Sequence, residues 1–275
     1  DTDYRNNINN INNIKIKYGS VECKDAILID GLEDAFLKEH VGKLTEKYIK
    51  ENNFSREEFD EYTYNSYRRA KEAYKNNKFK DEIIPIIIKT EDGEINLKED
   101  EEVNRNNLEK LNKLRPVFKE DGIITAGNAS NLSDGGNMML LCNESYLKTH
   151  KIKPVAKILG YNSMVSNPEN FCIVHTEGIM RCCNKLGKKI EDIDYFELNE
   201  GYPIVPLHTH KTLNISLERI NVFGGAIALG HPLGCSGSRI LGTLITILKD
   251  KGGKIGCASI NYGGGGSSCL MVENI

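Results

Sequence analysis

The 275-residue chain has little excess charge of either sign and no long apolar run. Its 36 lysines and arginines against 39 aspartates and glutamates give a formal net charge of −3, which argues against a nucleic-acid-binding surface over the whole molecule. No apolar stretch reaches the length needed to span a bilayer, and the chain does not open with a signal-peptide pattern. We therefore expect no nucleic-acid or membrane partner, and a soluble cytoplasmic protein is the default expectation.

The eight cysteines include no C-x-x-C pair and no zinc-ligand spacing. They are typical of buried thiols in a reducing compartment, and we expect no metal ion. On a strand, His208 and His210 could share one face and bind a metal. Because no cysteine or carboxylate lies close to them in sequence, two solvated histidines are favoured. A thiol at a helix N-terminus, as predicted for Cys235, can be reactive, but a small packed residue is the preferred interpretation.

Residues 221–238, NVFGGAIALGHPLGCSGS, hold a histidine between two glycine-rich turns. Gly230 permits a positive φ and Pro232 biases His231 towards an extended conformation, so the sequence predicts that this histidine lies on a loop. From Cys235 onwards, apolar residues recur at helical spacing. A loop imidazole beside a helix N-terminus suits anions and proton transfer, but for a lone Gly-His-Pro a structural glycine-rich loop with a satisfied histidine would be favoured.

The remainder of the chain divides into a polar start, a helical part and an alternating part. Residues 1–17 are Asn-rich and of low complexity, which predicts a loop or disorder. Ser55 and Glu58 form a capping-box pattern that predicts a helix to about residue 77. Helical spacing at 21–36, a strand at 83–89, an exposed loop at 91–107 and a short helix at 108–114 are also predicted. Strands and helices then alternate at 138–142, 154–161, 176–186, 195–199, 235–251, 255–262 and 267–272, which indicates an α/β domain.

Five stretches in colinear order resemble signatures of the thiolase family. They are GLEDAF at 31–36, LRPVFKEDGIITAGNASNLSDGG at 114–136, ELNEGY at 197–202, GGAIALGHPLGCSG at 224–237 and GCASINYGGGG at 256–266. The resemblance implies a thiolase-like C-terminal half, which is a mixed five-stranded sheet flanked by helices, joined to a mostly helical loop domain. With the low-complexity segment 1–17 set apart, it divides the chain into a loop domain at 18–130, a remnant of the N-terminal half at 131–150 and a C-terminal domain at 151–275.

The resemblance also implies acyl transfer between acyl-CoA molecules, converting two acetyl-CoA to acetoacetyl-CoA plus CoA, or the reverse. His231 matches the family's catalytic histidine, and Asn199 the asparagine that holds a water where the thioester oxygen binds. Gly263 matches a glycine whose backbone N–H helps form a second oxyanion hole. The second catalytic cysteine aligns with Asn261, whose amide does not titrate near neutral pH and cannot act as a general base.

The cysteine-bearing nucleophile segment of the family has no counterpart in these 275 residues. We therefore expect the chain to be inactive alone. The alternative from another class is a non-catalytic, thiolase-like CoA-binding or scaffold protein. Without the family's N-terminal half, an apolar segment at 138–142 would be exposed unless a partner covers it. The resemblance implies that this partner is a second copy in a homo-oligomer, a dimer or tetramer.

Coenzyme A, as the substrate thioester, is the ligand that the resemblance implies. Ser130 matches a serine that hydrogen-bonds the pantetheine arm, and Ala126 and Leu114 match other contacts with the cofactor. His40 matches a histidine near the thiol end. Without the resemblance, Ser130 would be read as a turn residue in an Asn-Ala-Ser-Asn loop.

Overall fold

The structure, a computed structural model, describes residues 23–91, 93–105 and 108–275. The predicted low-complexity segment 1–17 lies outside these residues. The helices are α1 Val41–Glu51, α2 Arg56–Lys75, α3 Glu102–Arg105, α4 Glu144–His150, α5 Val174–Leu186, α6 Ile204–Leu213, α7 Ala226–Leu229 and α8 Leu233–Lys251. The strands are β1 Ile86–Thr90, β2 Gly93–Leu97, β3 Ala156–Val165, β4 Tyr195–Leu198, β5 Ile255–Tyr262 and β6 Gly266–Asn274.

Strands β3 to β6 form a mixed four-stranded sheet in the order β3-β6-β5-β4. β6 pairs antiparallel with both β3 and β5, whereas β4 and β5 are parallel. The predicted mixed α/β sheet is confirmed, but it has four strands in the described residues and not the expected five. Ile220 adds an isolated parallel bridge to Phe196 of β4. Because β4 and β5 are parallel, their carboxyl ends meet at one sheet edge, which is where α/β sheets commonly bind ligands.

Helices cover both faces of this sheet. Ala258 and Val272 belong to a cluster with residues of α8, including Leu244. Cys257 and Met271, their neighbours in sequence, belong to the cluster that contains α5. Since side chains alternate between the two faces of a strand, α8 and α5 lie on opposite sides of the sheet.

The longest helix, α2, begins at the predicted capping box. The Ser55 hydroxyl accepts a hydrogen bond from the Glu58 amide at 3.2 Å, and the Glu58 carboxylate accepts one from the Ser55 amide at 2.9 Å. The helix ends at Lys75, slightly before the predicted end. Its buried face includes the four residues predicted for it: Phe59, Tyr62, Ser66 and Ala70.

The predicted strand at 138–142 is wrong, because these residues form no regular element. A strand needs a neighbouring strand for its backbone hydrogen bonds, and none of the described strands pairs with this segment. Met138, Leu140 and Leu141 are 95%, 85% and 69% exposed. The expectation of an exposed apolar segment is therefore confirmed.

Several smaller predictions also need correction. The stretch 91–107 is not simply an exposed loop, since it contains β2 and α3, and Glu102 and Val103 are buried. The described part of the stretch 21–36, residues 23–36, contains a six-residue π-helical turn, Ile27–Leu32, with no buried residue. Two of the eight thiols, those of Cys23 and Cys142, are exposed rather than buried.

His208 and His210 lie on helix α6, not on a strand, so two-residue spacing does not place them on one face. The His210 ring contacts the Ile215 carbonyl, and the His208 ring contacts Thr212. No cluster of three or more His, Cys, Asp or Glu side chains suited to a metal ion occurs in the described part of the chain. The same residues include no helix with the length and apolar character of a membrane span.

Candidate active site

His231 lies in the loop between α7 and α8, as predicted. Gly230 before it has φ 92°, and a Cβ at that position would collide with the Ser133 hydroxyl. The backbone N–H of His231 lies 3.3 Å from the same hydroxyl. Pro232 then begins α8 as its N-cap residue. The loop carrying Ser133 therefore packs directly on the His231 backbone and fixes its position.

The two ring nitrogens of His231 have different partners. Nδ1 lies 2.6 Å from the Ser236 hydroxyl, which itself donates to the Pro232 carbonyl at 3.1 Å. A hydroxyl has one proton to give, so Ser236 accepts from Nδ1–H and Nε2 keeps its lone pair. Nε2 lies 3.2 Å from Nδ2 of Asn199, which donates to it. Burial, and secondarily the charge of Arg239, lower the pKa of His231 to about 4, so its ring is neutral at pH 7.

Asn199 is held at the end of β4 by its backbone. Its N–H donates to the Ser259 carbonyl at 3.0 Å, and its own carbonyl accepts from Gly201 at 3.0 Å. The side chain is buried, and Oδ1 has no hydrogen-bond partner among the described residues. A buried acceptor without a partner is a place where a polar ligand atom fits. Pro203 is the N-cap of α6, so this helix begins after the turn and leaves Asn199 undisturbed.

Glu200, the next residue, is a buried carboxylate that the sequence did not single out. It accepts hydrogen bonds from the Tyr62 hydroxyl at 2.6 Å, the Ser66 hydroxyl at 2.8 Å and Nδ2 of Asn221 at 2.7 Å. A Cβ on Gly225 would collide with it. This carboxylate therefore ties α2 both to the turn after β4 and to the loop that leads to His231. The sequence held one signal of a buried polar partner, namely the two polar residues Tyr62 and Ser66 on the predicted buried face of α2.

Asn261 and Gly263 lie at the carboxyl end of β5, at the same sheet edge as Asn199. Nδ2 of Asn261 donates to the Phe171 carbonyl at 3.0 Å. Gly263 is exposed, and a Cβ there would meet no atom within 4 Å. In the described part of the chain, no hydrogen bond joins either residue to His231. Their assigned roles stay predictions.

His40, expected near the CoA thiol, caps helix α1. Its Nδ1 accepts from the Gly42 amide at 2.9 Å, and its ring centroid lies 4.6 Å from that of Phe118. Burial, followed by the charge of Lys43, lowers the pKa of His40. Phe118 in turn meets the Tyr202 ring edge-on at 6.2 Å. A series of aromatic rings thus connects His40 to the turn that follows Asn199.

The other three expected CoA contacts lie close together. The Ser130 amide donates to the Gly201 carbonyl at 3.1 Å, so its loop touches the turn that carries Asn199. Leu114 is half-buried and so close to Gly127 that a Cβ there would lie 2.5 Å from it. Ala126 is exposed on the same loop. The structure therefore places Ser130 against the turn, and Ala126 and Leu114 next to Gly127 of the loop that leads to Ser130.

Cys235, the thiol at the start of α8, is buried. Burial is the largest effect on it and raises the pKa of its thiol above the usual range, although the charge of Arg239 opposes this. Such a thiol is protonated at neutral pH and is a poor nucleophile. The interpretation of Cys235 as a small packed residue is favoured.

Known proteins match nearly the whole chain. The family model "Thiolase, N-terminal domain" matches residues 1–145, and "Thiolase, C-terminal domain" matches residues 152–274. Acetyl-CoA acetyltransferase IA of Candida tropicalis is 41% identical over 262 residues, covering 94% of this chain and 65% of that protein. The cytosolic acetyl-CoA acetyltransferase ERG10 of Gibberella zeae is 41% identical over 261 residues, covering 94% of this chain and 66% of that protein.

Solved structures show the same relationship. The acetyl-CoA acetyltransferase of Bacillus anthracis has a TM-score of 0.90 and 34% identity, covering 94% of this chain and 66% of that one. Acat5 thiolase of Ascaris suum, solved in complex with coenzyme A, has a TM-score of 0.85 and 34% identity, covering 95% of this chain and 67% of that one. The chain thus spans about 65% of the length of the curated relatives it matches.

Proposed function

The chain belongs to the thiolase family, and we propose that it binds coenzyme A thioesters as part of an acyl-CoA acyltransferase site. The proposed reaction is that of an acetyl-CoA C-acetyltransferase, which joins two acetyl-CoA into acetoacetyl-CoA and CoA, or its reverse. The observation that carries the proposal is the contact between Asn199 and His231 at the carboxyl end of β4. We also propose a cytoplasmic location, because the relative from Gibberella zeae is named as a cytosolic protein.

In this proposal, His231 handles a proton, and Asn199 holds a water through its Oδ1 atom where the thioester oxygen binds. The Nε2 lone pair of the neutral His231 ring takes a proton from a thiol, and the resulting imidazolium stabilises negative charge that develops on the thioester oxygen. The Asn199 amide orients this nitrogen. Gly263 supplies a backbone N–H at the neighbouring strand end, while Ser130 and His40 lie on the side where the pantetheine arm enters.

Asn261 limits what this chain does on its own. Abstraction of a proton from the α-carbon of an acyl-CoA needs a titratable group, and an amide has none near neutral pH. We propose that these 275 residues neither condense acetyl-CoA nor cleave acetoacetyl-CoA by themselves. The alternative, a non-catalytic CoA-binding or scaffold protein, is favoured by the same residue, since its amide is fixed by the Phe171 carbonyl at 3.0 Å.

Calorimetric titration of the 275-residue protein with acetyl-CoA tests this proposal. We expect saturable binding that Asn199→Ala and His231→Ala each weaken by about tenfold, because the first removes the group that contacts the thioester oxygen through a water and the second removes the ring that orients this group. Binding of free CoA, which has no thioester carbonyl, should change less in both variants. His150→Ala removes an exposed histidine and serves as the control.

Failure of the wild-type protein to bind either ligand would contradict the proposal. Cleavage of acetoacetyl-CoA by the unaltered protein would contradict the proposed lack of activity. The variant Asn261→Cys, in a protein that also carries a nucleophile segment, distinguishes the enzyme hypothesis from the scaffold hypothesis. Appearance of condensation activity in that variant supports the enzyme.

We also propose a homo-oligomer, a dimer or tetramer, in which a second copy covers the exposed segment 138–142. Three large apolar side chains in this segment, those of Met138, Leu140 and Leu141, are 69–95% exposed. Such patches mark interaction surfaces or aggregation sites. Light scattering is expected to give at least twice the 30.8 kDa chain mass. A clean monomer that does not bind hydrophobic dyes would exclude the proposal, and Leu140→Lys is expected to shift the equilibrium towards monomer.

A further inference from the structure

His175 is a fully buried histidine that the proposed chemistry does not use. It lies in the first turn of α5, and its Nδ1 is 3.0 Å from the Ser259 hydroxyl. Its Nε2 makes no well-aligned hydrogen bond within the described residues. Burial lowers the pKa of His175 to about 4. A hydrogen-bonding interaction with the Asn261 side chain raises this pKa, and the charge of His208 lowers it further. The ring is therefore neutral at pH 7 and interacts with two residues of β5.

Those two residues occupy the end of β5 that borders the candidate site. Ser259 and Asn261 are two positions apart, so both side chains point to the α5 face of the sheet. Among the described residues, the Ser259 hydroxyl bonds to His175 alone. Asn261 is held from its other side by the carbonyl of Phe171, which lies just before α5. The start of α5 therefore fixes both side chains.

Ser259 also connects this buried ring to His231. The Ser259 carbonyl accepts the backbone N–H of Asn199 at 3.0 Å. Nδ2 of Asn199 donates to Nε2 of His231 at 3.2 Å. Contacts between successive residues thus lead from His175 through Ser259 and Asn199 to the imidazole of the candidate site.

We propose that His175 is a positioning residue of the candidate site, fixing Ser259 and Asn261 at the end of β5 and, through Ser259, the Asn199–His231 pair. The role in acyl-CoA binding rests on the proposed function. The effect on the Asn199–His231 pair does not, because it is measured without ligand.

Two substitutions distinguish the contribution of the His175 ring nitrogens from that of the ring volume. His175→Asn keeps a polar group near the position of Nδ1, which faces the Ser259 hydroxyl, whereas His175→Phe keeps a ring of similar size without nitrogen. Thr209→Val is the matched control, because Thr209 is equally buried on α6 and its hydroxyl donates to the Val205 carbonyl. It reports the cost of losing a buried polar group whose hydrogen bond lies within α6.

The readout is the pKa of the His231 ring, followed by NMR in protein labelled at its six histidines. In wild type, His175→Asn and Thr209→Val, this pKa is expected to stay low. In His175→Phe it is expected to rise by about one unit or more towards the ordinary value of about 6.5, because a displaced Asn199 lets water reach the ring. Affinity for acetyl-CoA is expected to fall about tenfold in the same variant.

An unchanged His231 pKa in His175→Phe, with a loss of thermal stability like that of Thr209→Val, would overturn the proposal and leave His175 as a core residue. If His175→Phe does not fold, Ser259→Ala replaces it, since this removes the partner of Nδ1. The His231 pKa is expected to rise there too, and no change would be equally decisive against the proposal. A rise in pKa in a protein that never binds acetyl-CoA would refute the proposed function while supporting the positioning role.

Discussion

Glu200→Ala is expected to lower the free energy of unfolding by about 4 kcal/mol, because it leaves several buried donors without an acceptor, each costing about 1–3 kcal/mol. The donors are the hydroxyls of Tyr62 and Ser66 and the amide of Asn221, all within 2.6–2.8 Å of the carboxylate. Burial, then the Glu200 charge, hold the pKa of Tyr62 well above its usual value, so this hydroxyl remains a donor. Urea unfolding followed by circular dichroism measures the loss.

Two further variants of acidic residues calibrate that result. Glu200→Gln keeps the shape and one acceptor oxygen, so we expect it to cost about half as much. Glu61→Ala removes an exposed carboxylate from the same helix, α2, and should change stability by less than about 0.5 kcal/mol. A Glu200→Ala protein within about 1 kcal/mol of wild type would show that this carboxylate does not hold α2 to the site.

When the pH is lowered from 6.5 to 4, the free energy of unfolding of His175→Gln is expected to rise relative to that of wild type by up to about 3 kcal/mol. Burial lowers the pKa of His175 to about 4 in the folded protein, whereas the unfolded chain binds the proton near pH 6.5. Between these values the unfolded state holds more protons, so wild-type stability falls as the pH falls. Glutamine has no such proton to bind. The difference in unfolding free energy, measured by urea titration at several pH values, gives the effect.

Buried carboxyl groups act in the opposite direction. Burial raises the pKa of Glu82, Asp100 and Glu197, so each of them favours the folded state as the pH falls towards 4. Because all three are present in both proteins, they cancel in the difference. Thr209→Val, which removes no titratable group, should differ from wild type by the same amount at every pH. A His175→Gln difference that is equally flat would contradict the account.

The sequence predicted the parts of the site that depend on local pattern. Gly230 and Pro232 place His231 on a loop before a helix, and the structure confirms this. The thiolase motifs placed Asn199 and His231 at the same oxyanion hole but did not predict their direct contact, and no local rule brings together residues 32 positions apart. Glu200 was missed because its partners, Tyr62 and Ser66, lie 138 and 134 positions away. His175 was missed for the same reason, since Ser259 lies 84 positions further along the chain.

Other errors arose where local pattern conflicts with tertiary context. Apolar residues at 138–142 suggested a strand, but no strand of the described part lies alongside to complete its hydrogen bonds. The spacing of His208 and His210 suggested a strand, although Pro203 at the N-cap and Pro206 in the first turn are compatible with α6. In both cases the hydrogen-bonding partners, and not the propensities, decided the element.

The response of the His231 ring to acetyl-CoA tests most directly whether a thioester binds beside the Asn199–His231 pair. In histidine-labelled protein, the account predicts a saturable change in the NMR signals of His231, none at the exposed His150, and loss of the change in Asn199→Ala. Saturating acetyl-CoA that leaves the His231 signals where they were would contradict it.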